Sequence, residues 1–133
     1  VEVAKQNPIQ TPRILLVEDD AINQMVIQGF CENEGWDIQI ASNGKEALNI
    51  LAQKDKDLIL MDIQMPEMNG YDVTKIIRQQ KNYYIPIIAT TAYLCSNEMD
   101  KCLLAGMNDF VSKPINLQVL KNKIQYWINK IFK

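Results

Sequence analysis

The chain contains no histidine, which removes several kinds of chemistry from its repertoire. Without histidine it cannot supply a Ser-His or Cys-His catalytic pair or a histidine-ligated metal site. Its three cysteines, Cys31, Cys95 and Cys102, include no CxxC pair, so neither a disulfide framework nor a zinc site is predicted. We interpret all three as packing thiols. Any histidine chemistry that involves this chain must therefore come from a partner.

Long apolar runs are also absent from the sequence. No stretch approaches the roughly 20 apolar residues that a membrane-spanning helix needs, and the N-terminus carries no signal-peptide pattern. The net charge of -2 gives no general reason to bind nucleic acid or an anionic membrane surface. We therefore expect a cytoplasmic protein that contacts neither nucleic acid nor membrane directly.

Length and composition fit a single globular domain. The 133 residues are 47% hydrophobic, which is enough for a core of ordinary size. Charged residues make up 23%, as is typical of a globular protein. Residues 1–12 carry two prolines without apolar periodicity and are predicted to be a leader or linker. We expect the domain to occupy residues 13–133, and the start at valine rather than methionine suggests a module of a longer protein.

Short apolar runs alternate along the chain with segments of helical periodicity. The five predicted strands cover residues 13–17, 37–41, 57–62, 86–92 and 109–112. A predicted helix follows each strand; the first carries a repeat at helical spacing of Ile22, Met25, Val26, Gly29 and Phe30. Such alternation predicts βαβ units with right-handed crossovers, and therefore a doubly wound α/β fold with a parallel sheet.

The third predicted strand ends abruptly in a carboxylate. Residues 58–61 form an unbroken apolar run of the kind that is buried on both faces of a parallel sheet, and Asp62 follows it directly. A turn rich in Met, Pro, Asn and Gly then extends to Gly70. Ligands bind at the carboxyl ends of strands in open α/β sheets, so Asp62 is a candidate site residue. A lone aspartate in this position is more often a turn or helix-cap residue.

The ends of four predicted strands carry side chains that suit one site. Glu18 and Asp19 follow the first strand, Asp62 the third, Thr91 the fourth and Lys113 the fifth. Three crowded carboxylates repel one another unless a cation neutralises them, and Mg²⁺, with Mn²⁺ as an alternative, suits such a set. Asp62 could then attack phosphorus while Lys113 and Thr91 hold the phosphoryl oxygens. Singly, these residues also fit helix capping, a strand hydroxyl and a solvated lysine.

Four motifs in this order resemble the receiver domains of two-component response regulators. They are Ile-Leu-Leu-Val-Glu-Asp at 14–19, Met-Asp-Ile-Gln-Met-Pro at 61–66 with Gly70, Ala-Thr-Thr-Ala at 89–92, and Lys-Pro at 113–114. The resemblance covers about residues 13–131. It implies a flavodoxin-like (βα)5 fold whose five parallel strands lie in the order 2-1-3-4-5. It also implies a cis peptide bond before Pro114.

The resemblance implies a phosphoryl-transfer role for this edge of the sheet. Asp62 would accept a phosphoryl group from a phosphohistidine, and the acyl phosphate would hydrolyse slowly. Glu18, Asp19, Asp62 and the backbone carbonyl of Gln64 would organise Mg²⁺. The side chains of Gln64 and Tyr93 would flank the path of an attacking water and so tune the lifetime of the phosphoryl group.

A conformational switch is implied as well. Thr91 would turn toward the phosphoryl group, and Lys113 would pair with it. Phe110 matches the switch aromatic of the family, which is often Tyr, but it has no hydroxyl to signal with. The roughly two negative charges of the phosphoryl group should bias the face formed by the fourth helix, fifth strand and fifth helix. Residues expected to report this change are Tyr93, Leu94, Met99 and Phe110.

Further detail resembles the receivers of hybrid sensor histidine kinases. The run Glu-Asp-Asp-Ala-Ile-Asn-Gln at 18–24 is similar to one common there, although Asp20 replaces the usual Asn and adds a charge at the pocket rim. The implied partner is a histidine kinase or a histidine phosphotransfer domain, and the implied location is the cytoplasmic part of a membrane-anchored kinase. We expect a monomer or weak dimer. The alternatives are a free-standing single-domain regulator and a phosphorylation-independent interaction module.

Two other classes of protein share part of the pattern. An aspartate-nucleophile phosphatase typically needs a second Asp two residues on, where this chain has Gln64. A flavodoxin-type cofactor binder needs a Ser/Thr/Gly-rich phosphate loop after the first strand, where Glu18 and Asp19 would repel the phosphate. A turnover enzyme is therefore disfavoured, apart from self-phosphorylation and slow autodephosphorylation within a histidine kinase chain.

Overall fold

The computed structural model describes residues 11–80 and 84–132, in which strand and helix alternate five times. The elements in order are β1 (Arg13–Val17), α1 (Ala21–Asn33), β2 (Asp37–Ala41), α2 (Gly44–Gln53), β3 (Leu58–Asp62), α3 (Gly70–Gln79), β4 (Ile87–Thr91), α4 (Ser96–Ala105), β5 (Asp109–Ser112) and α5 (Leu117–Ile131). All predicted strands are present, the third and fourth slightly shorter than expected. None of the helices in this described part of the chain is long and apolar enough to span a bilayer.

The strands form one sheet in the order β2-β1-β3-β4-β5, with every neighbouring pair parallel. At the carboxyl edge the register pairs Asp62 with Thr90 and Thr91 with Ser112. The strand ends are therefore nearly level, so the segments that follow them emerge side by side. The doubly wound fold and the order 2-1-3-4-5 are confirmed.

The central strands are buried because helices cover both faces of the sheet. Successive side chains of a strand point to opposite faces, and accordingly Leu15 and Leu16 of β1 belong to two separate apolar clusters. Residues of α2, α3 and α4 cover the first cluster, and residues of α1 and α5 cover the second. Edge strand β2, in which apolar and polar residues alternate, is only half-buried. Burial of these apolar side chains is the main stabilising contribution to the fold.

Side-chain caps fix where most of the helices begin. The oxygen of an Asp or Asn side chain accepts a hydrogen bond from the first turn of α1, α2, α3 and α5; these caps are Asp20, Asn43, Asn69 and Asn116. Helix α4 differs, because Cys95 at its start makes no such bond. The helix ends at Gly106, whose φ of 108° is in the left-handed region that favours glycine. Both Asp20 and Gly106 are residue types that favour these capping positions.

Helix α1 turns part of its apolar repeat toward solvent. Ile22, Met25 and Val26 are 69%, 70% and 48% exposed, and the helix buries Ile27 and Cys31 instead. The repeat therefore predicted the helix correctly but does not mark its packed face. The exposed side chains lie close in sequence to the residues that follow β1.

The interpretation of the cysteines as packing thiols is correct for two of the three. Cys31 and Cys102 are buried, and burial raises the pKa of both thiols above the usual value. For Cys95 the interpretation is wrong, because its position just before α4 leaves it exposed.

Most of the predicted leader lies outside the described residues. Only residues 11 and 12 of it are described, so the leader and the domain boundary at residue 13 stay predictions. Pro12 is buried, and its carbonyl oxygen accepts a hydrogen bond of 3.0 Å from the Asp37 backbone.

An ion pair joins β1 to β3 at the amino edge of the sheet. The Asp57 carboxylate accepts hydrogen bonds from the Arg13 backbone N–H at 2.8 Å, from Nε at 3.0 Å and from Nη2 at 2.9 Å. Burial alone would raise the pKa of Asp57, but these bonds outweigh it and hold the pKa below its usual range. The bidentate geometry fixes the start of β3 beside β1.

Asp57→Asn is expected to lower the free energy of unfolding by about 1–3 kcal/mol at neutral pH, because charge-assisted hydrogen bonds are lost. The pKa of Asp57 is lower in the folded state than in the unfolded state, where it is about 3.9. Its carboxylate therefore stabilises the fold fully above the unfolded pKa, and this stabilisation is lost as the pH falls through the folded pKa. Urea unfolding should therefore show a deficit that shrinks in acid. Asp55→Asn, at an exposed position nearby, is the control. A deficit of equal size at neutral and acid pH would contradict this account.

Candidate functional site

The carboxyl edge of the sheet gathers the five side chains that the sequence singled out. Glu18 and Asp19 follow β1 directly, Asp62 ends β3, Thr91 ends β4 and Lys113 follows β5. Asp62 and Glu18 are each only 1% exposed and the Thr91 side chain is fully buried, whereas Asp19 is exposed. The site therefore has a buried floor and one carboxylate at its mouth. The Lys113-Pro114 peptide bond is cis.

Lys113 lies between two buried carboxylates. Its Nζ is 3.2 Å from Asp62 Oδ1 and 3.4 Å from Glu18 Oε1. Carboxylate oxygens of Glu18, Asp19 and Asp62 all lie within 4.8 Å of one another. One ammonium group thus faces three acidic groups, which leaves an excess of negative charge when all three are ionised.

This crowding shifts the ionisation of the groups. Burial raises the pKa of Asp62 to about 7, with the Glu18 carboxylate adding to the rise and Lys113 opposing it. Burial also tends to lower the pKa of Lys113, but the carboxylates of Asp62 and Glu18 outweigh it and raise that pKa above its usual value. Lys113 is therefore protonated at neutral pH, while Asp62 is close to its titration point.

The donor set fits a hard divalent cation. Glu18 Oε2 accepts a hydrogen bond of 3.2 Å from the Asp20 backbone N–H, but the buried Oε1 makes no hydrogen bond, although it lies near Lys113. Buried acceptors without a hydrogen bond are rare, and Lys113, the positive group beside this one, is shared with Asp62. Three converging carboxylates of this kind suit Mg²⁺. The Gln64 backbone N–H also donates to Asp62 Oδ1 at 3.2 Å, which holds that segment against the site.

The turn after β3 requires a glycine at position 70. Gly70 donates its N–H to the Ile63 carbonyl at 3.0 Å. A Cβ at this position would lie 2.5 Å from the Asp62 carbonyl oxygen and 3.0 Å from Ile63 Cα, which is too close for any side chain. The start of α3 therefore packs directly against the backbone of Asp62 and fixes it.

The Thr91 hydroxyl is held by groups that the sequence did not assign to it. Gln64 Nε2 donates to Thr91 Oγ1 at 3.0 Å, and the Tyr93 backbone N–H donates to the same oxygen at 3.1 Å. The sequence assigned Gln64 a backbone role and a place beside the attacking water, but nothing in it pointed to Thr91. This contact depends on how the loops after β3 and β4 meet.

Phe110, the predicted switch aromatic, lies half-buried beside a lysine of α5. Lys123 Nζ is 5.5 Å from the centre of the ring and donates to the Phe110 carbonyl at 2.8 Å. It also donates to Asp109 Oδ1 at 2.8 Å. These contacts were not predicted, because Lys123 has the spacing of a solvent-facing residue on its helix. A cavity of about 330 Å³ lies here, lined among others by Leu94, Met99, Phe110, Val119 and Lys123.

A doubly wound sheet in the order 2-1-3-4-5, with an acidic cluster, a lysine and a buried hydroxyl along its carboxyl edge, defines the class of receiver domains in two-component signalling. Comparison with known families agrees with this class. The chain belongs to the response regulator receiver domain family, whose sequence profile matches residues 14–125.

Several known proteins are similar to this chain. Hybrid signal transduction histidine kinase I of Dictyostelium discoideum is 40% identical over 126 residues, which cover 89% of this chain but 7% of that protein. The chain spans only 6% to 15% of the length of the curated relatives it matches.

Two solved structures share the fold closely. The receiver domain of sensor histidine kinase PA1611 from Pseudomonas aeruginosa PAO1, crystallised with magnesium in the active site cleft, has a TM-score of 0.83 at 37% identity, covering 90% of this chain and 99% of that one. The receiver domain of Saccharomyces cerevisiae Ssk1, solved with the histidine phosphotransfer protein Ypd1, has a TM-score of 0.84 at 32% identity, covering 91% of each chain.

Asp62→Asn is expected to stabilise the protein in metal-free buffer, by on the order of 2 kcal/mol at pH 8. The pKa of Asp62 is about 7 in the folded state and about 3.9 in the unfolded state. Its carboxyl group therefore stabilises the native state fully below the unfolded pKa, and this stabilisation is lost as the pH rises through the folded pKa. The stabilisation by Asp62→Asn should therefore grow between these two pKa values and level off above the higher one.

Urea unfolding in the presence of EDTA measures this difference. Asp72→Asn, at an exposed position in the first turn of α3, is the matched control. A destabilised Asn variant at pH 8, or a difference independent of pH, would show that the ionised Asp62 carboxylate is not under the proposed electrostatic stress.

Proposed function

We propose that Asp62 is the phosphoacceptor of this receiver domain and takes its phosphoryl group from a phosphohistidine. The observation that carries the proposal is the position of Asp62, which ends a buried strand 3.2 Å from Lys113 and within 4.8 Å of the Glu18 and Asp19 oxygens. The donor histidine must belong to a partner, because this chain has none.

In the transfer, an Asp62 carboxylate oxygen forms a bond to phosphorus while the phosphorus–nitrogen bond of the phosphohistidine breaks. The electron pair of that bond leaves with the imidazole. Lys113, which pairs with Asp62 in this structure, would then pair with a phosphoryl oxygen. The Thr91 hydroxyl would donate a hydrogen bond to another oxygen.

Glu18, Asp19, Asp62 and the Gln64 backbone carbonyl are the groups we assign to Mg²⁺, with Mn²⁺ as the alternative. Support comes from the Glu18 oxygen without a hydrogen bond, and from the similar PA1611 receiver with magnesium in its active site cleft. When bound, the cation neutralises the carboxylates and the charge on the phosphoryl oxygens. The charge of a bound cation would also favour the ionised form of Asp62, which is the form that attacks phosphorus.

The domain, residues 13–133, fits best as a module of a hybrid sensor histidine kinase in the cytoplasm. This proposal is supported by the kinases among its relatives, of which the chain covers a small part. A free-standing regulator is the alternative. The Ypd1 complex of a similar receiver supports a histidine phosphotransfer domain as partner. A monomer or weak dimer, without direct contact to nucleic acid or membrane, stays our expectation.

The exposed apolar residues of α1 are the surface we assign to this partner. Ile22, Met25 and Val26 are well exposed, and their helix starts directly after Glu18, Asp19 and the capping Asp20. A partner that covers them would bring its histidine to the mouth of the site. Burial of such side chains contributes roughly 1.5–3 kcal/mol each.

The protein is expected to gain the mass of one phosphoryl group when incubated with acetyl phosphate and Mg²⁺, because the small donor needs no partner surface. Intact-mass spectrometry with and without Mg²⁺ measures this gain. Asp62→Asn should show none, and the exposed Asp72→Asn should behave as the wild type. No gain in a folded protein that binds Mg²⁺ would favour the phosphorylation-independent interaction module.

Met25→Glu is expected to slow phosphoryl transfer from a phosphorylated histidine phosphotransfer protein by about tenfold or more, because a charge would be buried at the contact. The rate with acetyl phosphate should not change. Asn33→Glu adds the same charge at the far end of α1 and serves as the control. Equal slowing with both donors, or none with either, would rule out this surface as the docking site.

A further inference from the structure

The Gln64 side chain bridges the segment after β3 and the end of β4. Its Oε1 accepts from the Ala92 backbone N–H at 3.4 Å, and its Nε2 donates to Thr91 Oγ1 at 3.0 Å. The orientation of the carboxamide is determined by these partners, because a backbone N–H can only donate and must face the oxygen. Gln64 itself is exposed, so this bridge lies over the buried Thr91 from the solvent side.

The two acceptor positions of the Thr91 hydroxyl are both occupied. One takes the N–H of Gln64 Nε2 and the other takes the backbone N–H of Tyr93 at 3.1 Å. A change of the Thr91 side-chain rotamer would break both bonds, since the donors are fixed by the backbone and by the carboxamide bridge. The hydroxyl is therefore held in its present position from two sides.

We propose that the Gln64 carboxamide is a latch that opposes the movement of Thr91 toward a phosphoryl group on Asp62. The inference rests on the proposed function, which requires that movement. Gln64 is a positioning residue, because its side chain acts through Thr91. The hydrogen bond from the Tyr93 backbone N–H does not depend on the side chain at position 93. The Gln64 side chain is therefore the part of the latch that is specific to this sequence.

The latch affects the equilibrium between the two positions of Thr91 as well as the rate of movement between them. Part of the free energy of phosphoryl binding is used to break the Gln64–Thr91 hydrogen bond, so the apparent affinity for a phosphoryl analogue is reduced. A hydrogen bond of this kind corresponds to about a two- to tenfold change in affinity. This effect is distinct from any influence of Gln64 on an attacking water, which changes only the lifetime of the acyl phosphate.

Beryllofluoride, a noncovalent analogue of the phosphoryl group, separates the two effects because no hydrolysis follows its binding. Calorimetric titration in Mg²⁺ should show that Gln64→Met, which keeps the length of the side chain but neither polar atom, binds beryllofluoride about two- to tenfold more tightly than the wild type. Gln79→Met, at an exposed position of α3, should leave the affinity unchanged.

The same substitution is then made in a Thr91→Val background, which keeps the shape of the side chain without the hydroxyl. There Gln64→Met should have no effect on affinity, because the latch has nothing left to hold. Equal affinities of wild type and Gln64→Met, or the same tightening with and without the Thr91 hydroxyl, would overturn the latch. A wild type that neither binds beryllofluoride nor reacts with acetyl phosphate would instead overturn the proposed function itself.

Discussion

The repulsion among the Glu18, Asp19 and Asp62 carboxylates is the constraint on which the site depends. The parallel sheet brings them within 4.8 Å of one another, and Lys113 supplies a single positive charge. Burial disfavours the ionised form of Asp62 and the Glu18 carboxylate adds to this effect, so the pKa of Asp62 rises to about 7. A cation that neutralises the cluster relieves this repulsion, and the relief contributes to the free energy of Mg²⁺ binding.

Much of the fold and the site could be predicted because both follow from one geometric rule. Apolar runs and helical repeats indicate alternating strands and helices, and the ends of parallel strands meet at one edge. Asp62, Thr91 and Lys113 were therefore expected to converge, and they do. The order of the strands could not be derived in this way, because no pattern of residues encodes it; it was taken from the resemblance to receiver domains.

The features that could not be predicted are those that depend on the direction in which a side chain points. The repeat in α1 predicted the helix but not its packed side, because apolar side chains that are exposed have the same composition as those that pack against the sheet. Contacts between loops are equally hidden: the Gln64–Thr91 bond and the Lys123–Phe110 contact join segments whose relative positions no periodicity encodes.

Thr91 connects this site to the face made by α4, β5 and α5 through its place in the sheet. Thr91 pairs with Ser112 of β5 in the sheet, and Phe110 two residues earlier lines the cavity against α4. Helix α4 has no side-chain cap at its start, and a hydrogen bond from Tyr71 to Glu98 attaches it to α3. A shift of Thr91 can thus be transmitted to an element with few fixed polar contacts at its N-terminus.

The most direct test of the central claim identifies the residue that carries the phosphoryl group after transfer from a phosphorylated histidine phosphotransfer protein. Reduction of the acyl phosphate with borohydride converts the modified aspartate to homoserine, which peptide mass mapping then locates. The account predicts conversion at Asp62 alone. Conversion at Asp19 or any other carboxylate, or none after confirmed transfer, would contradict it.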